Sequence, residues 1–236
     1  MSNGLWFELL EAKGSWTSLW FGYVICSNCQ GIRQIETNCP ACGDPPYDLS
    51  PRVMTLPDGT THQVPAAFPG AEGRFEDYAY LSWMEREWNR VIPDEELQMV
   101  QAGFAPYPKV TIILLWWTYF ETRIERLLRS GMRTTPTAIV EDALERYSSI
   151  GARLDRLYKV VFGASYAADL QNLGKRDIWD LIREVQDARN RFMHGDPKAI
   201  TESLTLKVVG RMRDEHEAWI QIYNSRGTLT APRQTP

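Results

Sequence analysis

The stretch "PYPKVTIILLWWTYFETRIERLLRSGMR", Pro106 to Arg133, decides the fold, because it predicts a long helix that is apolar on nearly every side in its first half. A helix of this kind is stable where other helices cover it, at the centre of a bundle. Its most apolar run has about 11 residues, whereas a membrane-spanning helix requires roughly 20. The run is closed by Glu121. The sequence therefore predicts a buried central helix and no membrane span.

Helical patterns flank this central helix on both sides. One precedes it, "EDYAYLSWMEREWNRVI", and three follow: "TAIVEDALERYSSIGARLDRLYKVVFG", "RDIWDLIREVQDARNRFMHG" and "PKAITESLTLKVVGRMRDEHEAWIQIYN". One face of the third of these four segments is apolar along its length; it carries Ile178, Leu181, Ile182, Val185 and Ala188. We predict an all-α bundle of four or five helices over residues 73–224, followed by a flexible tail over 225–236.

Residues 1–72 have a different pattern, rich in strand-forming residues and turns. "WTSLWFGYVI", Trp16 to Ile25, is aromatic and β-branched, as strands are. "RVMTLPDGTTHQVP" places two short runs around a Pro-Asp-Gly turn, which predicts a hairpin. Proline and glycine in "AAFPGAEG" mark a boundary near residue 72. The predicted fold is thus mainly α, with a small β-rich module before the bundle.

All four cysteines lie in the β-rich part, at Cys26, Cys29, Cys39 and Cys42. The spacing C-x2-C, nine residues, C-x2-C forms two knuckles that can aim four sulfurs at one ion, as in a zinc ribbon. A tetrahedral S4 set suits Zn2+ or, less often, iron. Two disulfides are one alternative, but they would be unusual in a reducing cytoplasm. A redox C-x2-C pair is another, but it would leave the second cysteine pair without a role. We predict one structural Zn2+ per chain, bound by all four thiolates.

The residues between the knuckles have two interpretations. Arg33 and Gln34 can lie in a solvated loop or can contact nucleic acid.

Gly43, directly after the second knuckle, is free to take a positive φ. Because four cysteines complete the coordination shell, the site has no open position for catalysis.

Composition limits the function classes. The formal charge of −4 argues against broad coating of nucleic acid but allows a local basic cleft. The opening "MSNGLWFELLEAKG" has no basic start or long apolar run of a signal peptide. With the cysteine usage, this predicts a cytoplasmic location.

The stretch "DARNRFMHGDP" carries the residues best suited to chemistry. Gly195 is a natural residue to follow a helix end, and Pro197 stops the helix, so His194 falls in the last turn. A histidine there can move a proton, and Arg189 can steady negative charge on a phosphate. RNA can supply its own nucleophile, the 2′-OH, so this pair suits cleavage of RNA without a metal.

The same stretch also has a purely structural interpretation. A histidine before a glycine is an ordinary helix end, and the arginine can simply be solvated. Arg189 and His194 are separated by about 140° on an ideal helix, so they do not share one face. Arg211 and His216 repeat the spacing, so spacing alone does not indicate catalysis.

The order Arg189-Asn190-x3-His194-Gly195, at the end of a late helix in a predicted bundle, resembles the motif of the HEPN superfamily. That motif is Arg, a polar residue, three residues and His. Many HEPN proteins are metal-independent endoribonucleases of toxin–antitoxin, CRISPR and phage-defence systems. The resemblance covers roughly residues 75–224 and implies a HEPN-like bundle whose catalytic residues are Arg189, Asn190 and His194. "WWTYFETRIE" resembles the family's segment with an acidic residue facing the site, with Glu121 as first candidate and Glu125 as second.

The resemblance also implies partners. HEPN ribonucleases usually act as homodimers in which two Arg–His sets line one cleft, and a toxin or defence effector can have an antitoxin or regulatory protein as partner. Arg183 and Arg191 would add positive charge that holds RNA, or would form a solvated face. Phe192 would stack a base or belong to the core.

Three function hypotheses follow. The first is a metal-independent endoribonuclease with a structural zinc ribbon, acting as a toxin or antiviral-defence effector. The second is a non-catalytic module, dimerising through the bundle and binding a partner protein or nucleic acid through the ribbon. The third is a nucleic-acid binder that uses Arg33 and its neighbours.

Overall fold

The computed structural model describes residues 16–48, 50, 52–64 and 75–228, and the fold is mainly helical with two small β-hairpins at its N-terminal end. The predicted fold class is confirmed. The first hairpin joins β1 (Tyr23–Ile25) to β2 (Ile32–Gln34), and the second joins β3 (Arg52–Thr55) to β4 (Thr61–Val64). Both pairs are antiparallel. The predicted boundary at residue 72 and the segment after residue 228 lie outside the described residues.

Nine helices follow in the described part of the chain. They are α1 (Phe75–Asn89), α2 (Asp94–Gln101), α3 (Val110–Gly131), α4 (Thr137–Arg146), α5 (150–162, with a π-helical middle at Arg153–Leu157), α6 (Tyr166–Asn172), α7 (Arg176–Met193), α8 (Glu202–Val209) and α9 (Met212–Arg226). The last helix extends two residues into the segment predicted as a tail.

Helix α3 is the predicted central helix. It contacts α1, α5, α7, α8 and α9. Its ten buried residues lie on one broad face along the whole helix, from Ile112 to Leu128, whereas Thr111 and Thr118 on the opposite side are exposed. The five apolar residues predicted on one face of α7 are all buried, and this face packs towards α3. Helix α7, which carries the motif from Arg189 to His194 and is called the motif helix, is therefore packed against the central helix, as the apolar pattern indicates.

Three of the predicted elements differ from the structure. Trp16–Trp20, predicted as strand, forms a 3-10 helix, and only Tyr23–Ile25 of that stretch is a strand. The long helix predicted from Thr137, with a bend near Gly151, is instead broken into α4 and α5 just before that glycine, because the Ser149 hydroxyl accepts the Ala152 N–H and begins a new helix. The last predicted helix is divided into α8 and α9 at Gly210. Helices α2 and α6 were not predicted.

The N-terminal hairpin packs into the helical core. Trp16, Trp20 and Ile32 are at most 2% exposed and belong to the same apolar cluster as the central helix. Glu85 of α1 accepts two hydrogen bonds from Thr17, from its backbone N–H at 2.6 Å and its hydroxyl at 2.9 Å. The first hairpin and the bundle thus share one hydrophobic core.

A side-chain clamp fixes β2 on α9. Asn224 accepts a hydrogen bond from the Ile32 N–H at 2.6 Å and donates one to the Ile32 carbonyl at 2.6 Å. The amide of Asn224 therefore pairs with both backbone groups of Ile32, as a neighbouring strand would. A Cβ at the adjacent Gly31 would lie 3.1 Å from the Asn224 Oδ1 and 3.0 Å from the Thr228 Cγ2, so glycine permits this close approach.

Candidate metal centre and motif-helix terminus

The four cysteines converge on one point, as predicted. Their sulfur atoms all lie within 4.8 Å of one another, with 3.7 Å between Cys26 and Cys42 and 3.5 Å between Cys29 and Cys39. A tetrahedral ion with metal–sulfur bonds of about 2.3 Å places its ligands about 3.8 Å apart. The spacing of the sulfurs therefore fits a tetrahedral metal ion, and the four thiols form no disulfide.

The two knuckles have the same backbone design. Gln30 donates its N–H to the Cys26 carbonyl at 2.9 Å, and Gly43 donates its N–H to the Cys39 carbonyl at 2.8 Å. Both residues have positive φ, 62° for Gln30 and 76° for Gly43. The prediction for Gly43 is confirmed, whereas Gln30 takes this conformation despite its side chain. The tight turns aim each pair of sulfurs at the same point.

The thiols of the cluster differ in acidity with their surroundings. Burial raises the pKa of Cys29 and of Cys39. Burial also acts to raise the pKa of Cys42, but the Asp44 N–H and the neighbouring sulfurs outweigh it and bring this pKa to about 7. A bound cation would replace these interactions by direct coordination of all four thiolates.

Arg33 belongs to the interior of the module and is neither a solvated residue nor free to bind nucleic acid. It is 1% exposed, and its guanidinium donates to the Asp44 carbonyl at 3.0 Å and the Pro45 carbonyl at 2.6 Å. It also lies 4.5 Å from the Tyr47 ring centre. Arg33 therefore ties β2 to the segment after the second knuckle, which contradicts both sequence-based interpretations. Gln34 is exposed.

The end of α7 has the geometry that the sequence predicts. His194 is the C-terminal cap residue, and Gly195 follows with φ 96°. The Gly195 N–H donates to the Phe192 carbonyl at 3.1 Å, and the Asp196 N–H to the Arg191 carbonyl at 3.0 Å. This pair of bonds is a Schellman motif, which ends a helix sharply. It leaves the His194 side chain exposed at the tip of the helix.

Arg189 and Asn190 lie one turn before this tip. Arg189 is half-buried and donates to the Asn190 Oδ1 at 3.3 Å, while Asn190 is exposed. The partner of Arg189 is neutral, so its positive charge is not cancelled there. Two other arginines of α7 are paired with acids, Arg176 with Asp180 and Arg191 with Asp187, each at 3.4 Å.

The remaining predicted residues have distinct surroundings. Arg183 is exposed, donates to Gln186 at 2.9 Å and lies 5.8 Å from the Trp179 ring centre. Phe192 is half-buried and packs against the core. Arg183 thus carries its charge at the surface. The charge of Arg191 is instead engaged in an exposed ion pair with Asp187, and such pairs stabilise a fold only weakly.

Of the two acidic candidates on α3, Glu125 is already engaged. It accepts hydrogen bonds from Arg129 at 2.9 Å and from Arg153 at 3.0 Å. Glu121 is half-buried one turn earlier on the same helix. Glu125 is therefore engaged within the bundle, and the role of Glu121 as the acid of the site stays a prediction.

The second Arg-x4-His pair is structural. Arg211 forms ion pairs with Asp177 at 3.0 Å and Asp214 at 2.9 Å. His216 is 1% exposed and meets the Trp20 ring edge-on at 4.5 Å. Burial and the charge of Arg123 lower the pKa of His216 to about 3, so this imidazole is neutral at pH 7.

A buried ion pair next to His216 was missed by the sequence analysis. Arg123 of α3 and Glu215 of α9 are hydrogen-bonded in the core and are 0% and 2% exposed. The guanidinium lies 4.0 Å from the Tyr119 ring centre and 5.4 Å from that of Trp219. Arg123 falls on the buried stripe of α3, between Phe120 and Leu127. A charged residue at a stripe position is the pattern that could have revealed it.

Comparison with known proteins identifies no relative: no protein-family model, no curated protein and no solved structure matches this chain. Among the described helices, none combines the length and the apolar character that crossing a membrane requires.

Proposed function

We propose that this protein is a metal-independent endoribonuclease whose catalytic residues are Arg189, Asn190 and His194, with Glu121 as supporting acid. The observation that carries the proposal is that an exposed histidine lies at the sharply ended tip of α7 together with an arginine that has no acidic partner among the described residues. Its order of residues also resembles the HEPN motif.

The chemistry follows from RNA itself. The 2′-oxygen attacks the neighbouring phosphorus, so that an O2′–P bond forms and the P–O5′ bond breaks. His194 moves a proton in this exchange, taking it from the 2′-OH or giving it to the leaving O5′. The guanidinium of Arg189 stabilises the charge on the phosphate oxygens.

A second copy of the chain completes the site in this proposal. The positions of Arg189 and His194 are about 140° apart around α7. One phosphate can therefore contact both side chains only in a cleft that surrounds the end of the helix. Two α7 tips across a homodimer provide such a cleft and double its positive charge. Arg183 would extend this surface to the RNA backbone, and Arg191 would contribute after release from Asp187. A toxin or defence effector is the role that such an activity suits.

The test is cleavage of RNA without added Mg2+ and with a chelator present. The chelator concentration is chosen so that elemental analysis still finds the metal bound to the cysteines. His194→Ala is expected to lower the rate by at least about 100-fold. Arg189→Ala is expected to have a similar effect. Two exposed residues on other elements provide matched controls, His62→Ala and Arg156→Ala, which should cleave like the wild type. Cleavage by His194→Ala at the wild-type rate would refute the assignment.

Cellular toxicity gives an independent check. Expression of an active ribonuclease slows growth of the host, and His194→Ala should relieve that effect while His62→Ala should not. A folded dimer with no cleavage and no toxicity would favour the alternative of a non-catalytic interaction module.

For the metal centre we propose Zn2+ as the bound ion. The support is a set of four thiols whose sulfurs lie within 4.8 Å of one another, with 3.5 Å and 3.7 Å in two of the pairs. Elemental analysis of the purified protein should give one zinc per chain. A fully folded protein without metal would contradict the proposal.

A further inference from the structure

A cavity of about 310 Å³ lies between the turn that ends α2 and the loop that follows His194. Its polar lining includes Tyr107 on one side and Lys198 and Glu202 on the other. The volume is at the lower limit for a small-molecule pocket, enough for one flat ring system. None of these three side chains takes part in the catalytic set described above.

The loop that carries Lys198 is held firmly beside the α7 tip. Asp196 accepts the Lys198 N–H on its carboxylate at 3.1 Å and the Ala199 N–H on its carbonyl at 3.2 Å. Ala199 and Ile200 are then buried, at 5% and 1% exposure. Because Lys198 is four residues from His194, its backbone lies within about 14 Å of that residue.

The opposite wall is the C-terminal turn of α2. Gly103 has φ 79°, and its N–H donates to the Val100 carbonyl at 3.0 Å. A Cβ at Gly103 would lie 2.9 Å from the Lys198 Nζ, so the lysine packs directly across the turn.

The side chains in the cavity define what can bind. Tyr107 is half-buried, and burial first and the charge of Glu202 second raise its pKa, so its ring stays neutral. Glu202 is an exposed acceptor, and Lys198 is an exposed donor. A ligand that matches these groups has N–H donors for the carboxylate and an acceptor for the ammonium group. A flat ring in such a ligand could stack on the Tyr107 ring.

Guanine has this set of groups. Its N1–H and N2–H donors lie side by side, so one carboxylate can accept both, and its O6 and N7 can accept from a lysine. Adenine has an acceptor at N1, which a carboxylate repels. The aromatic ring of Tyr107 provides a stacking surface for either purine, so the choice between them depends on Glu202 and Lys198.

We infer that this cavity binds a guanine base of the RNA strand whose phosphodiester lies at His194, with Glu202 accepting from N1–H and N2–H and Lys198 donating to O6 or N7. The strand as the source of the base rests on the proposed ribonuclease function. A free guanine nucleotide carries the same base, and the two sources are separated by experiment.

The first experiment does not depend on cleavage. The full-length, metal-bound protein is titrated calorimetrically with GMP and with AMP. GMP is expected to bind about 5- to 150-fold more tightly, the range for one bidentate base contact. Glu202→Gln should remove this difference, and Lys198→Met should weaken GMP binding. Glu145→Gln and Lys159→Met, exposed on other helices, are the matched controls. Equal affinity for GMP and AMP would overturn the inference.

The second experiment maps cleavage sites in an RNA pool of random sequence. Wild-type protein should cut at a fixed distance from a guanine, and Glu202→Gln should cut the same pool with this preference lost. Cuts without any guanine preference would overturn the inference while the ribonuclease function stands. Selective GMP binding in a protein that cuts no RNA would overturn the ribonuclease function and assign the cavity to a free nucleotide.

Discussion

Acid should destabilise this protein through His216, and the size of the effect follows from its burial. The imidazole projects from α9 and is fully buried against the rings of Trp20 and Tyr23, and this burial lowers its pKa to about 3. In the unfolded chain the pKa of a histidine is about 6.5. Below that value the unfolded state takes up a proton that the folded state does not. The contribution of His216 to stability is therefore fully present above pH ~6.5 and is lost progressively as the pH falls towards 3.

Lowering the pH from about 7.5 to about 5 should reduce the free energy of unfolding by about 2 kcal/mol through His216 alone. For a chain of this length that corresponds to a fall in melting temperature of about 4–8 °C. His216→Phe keeps an aromatic edge against Trp20 but cannot titrate, so this variant should lack that part of the acid sensitivity.

The assay is urea unfolding of the wild type and His216→Phe at several pH values. The plotted quantity is the difference between their free energies of unfolding. Protonation of the cysteine ligands affects both proteins equally and cancels in this difference. His62→Phe, at an exposed position in the second hairpin, controls for the loss of a histidine in general. Parallel pH curves for the wild type and His216→Phe would show that His216 is not buried in its neutral form.

Three further predictions concern the core and the module. Arg123→Met should lower the free energy of unfolding by about 3–5 kcal/mol, because the Glu215 carboxylate is left buried without its partner. In urea unfolding, the double variant Arg123→Met/Glu215→Leu should recover most of this loss. A double variant no more stable than the single one would contradict the pairing. Asn224→Leu should cost about 1–3 kcal/mol in thermal melts through the two lost bonds to Ile32, and an unchanged melting temperature would argue against the clamp. Removing the metal with a strong chelator should lower the melting temperature of the whole helical signal, because the metal-bearing hairpin shares the bundle core; an unchanged helical melt would instead show that the two parts unfold independently.

The features that the sequence predicted correctly are those set by local pattern. The all-round apolar run placed α3 at the centre, and the period of α7 identified its buried face. The cysteine spacing predicted the convergence of four sulfurs, because a C-x2-C knuckle is a local structure. Gly195 and Pro197 predicted the end of α7 because the chemistry of a helix end is also local.

The features that were missed depend on contacts between distant residues. Trp16 and Trp20 have strand propensity, yet they form a 3-10 helix because their side chains fill the bundle core and Glu85 binds Thr17. Arg33 is held by the segment after the second knuckle, which its own neighbours in sequence do not reveal. The Arg123–Glu215 pair joins residues far apart in the chain, so only the position of Arg123 on an apolar stripe indicated it.

The central claim is that His194 promotes attack by the 2′-OH of RNA, and one substrate pair tests it most directly. An RNA of defined sequence is cleaved by the wild-type protein without added Mg2+, and the cut position is mapped. The same strand is then made with a single 2′-deoxynucleotide on the 5′ side of that position. The account predicts a 2′,3′-cyclic phosphate end in the first strand and no cut at that position in the second. It also predicts that His194→Ala cleaves the first strand at least about 100-fold more slowly. Cleavage of the 2′-deoxy position by the wild type, or of the RNA by His194→Ala at an undiminished rate, would contradict it.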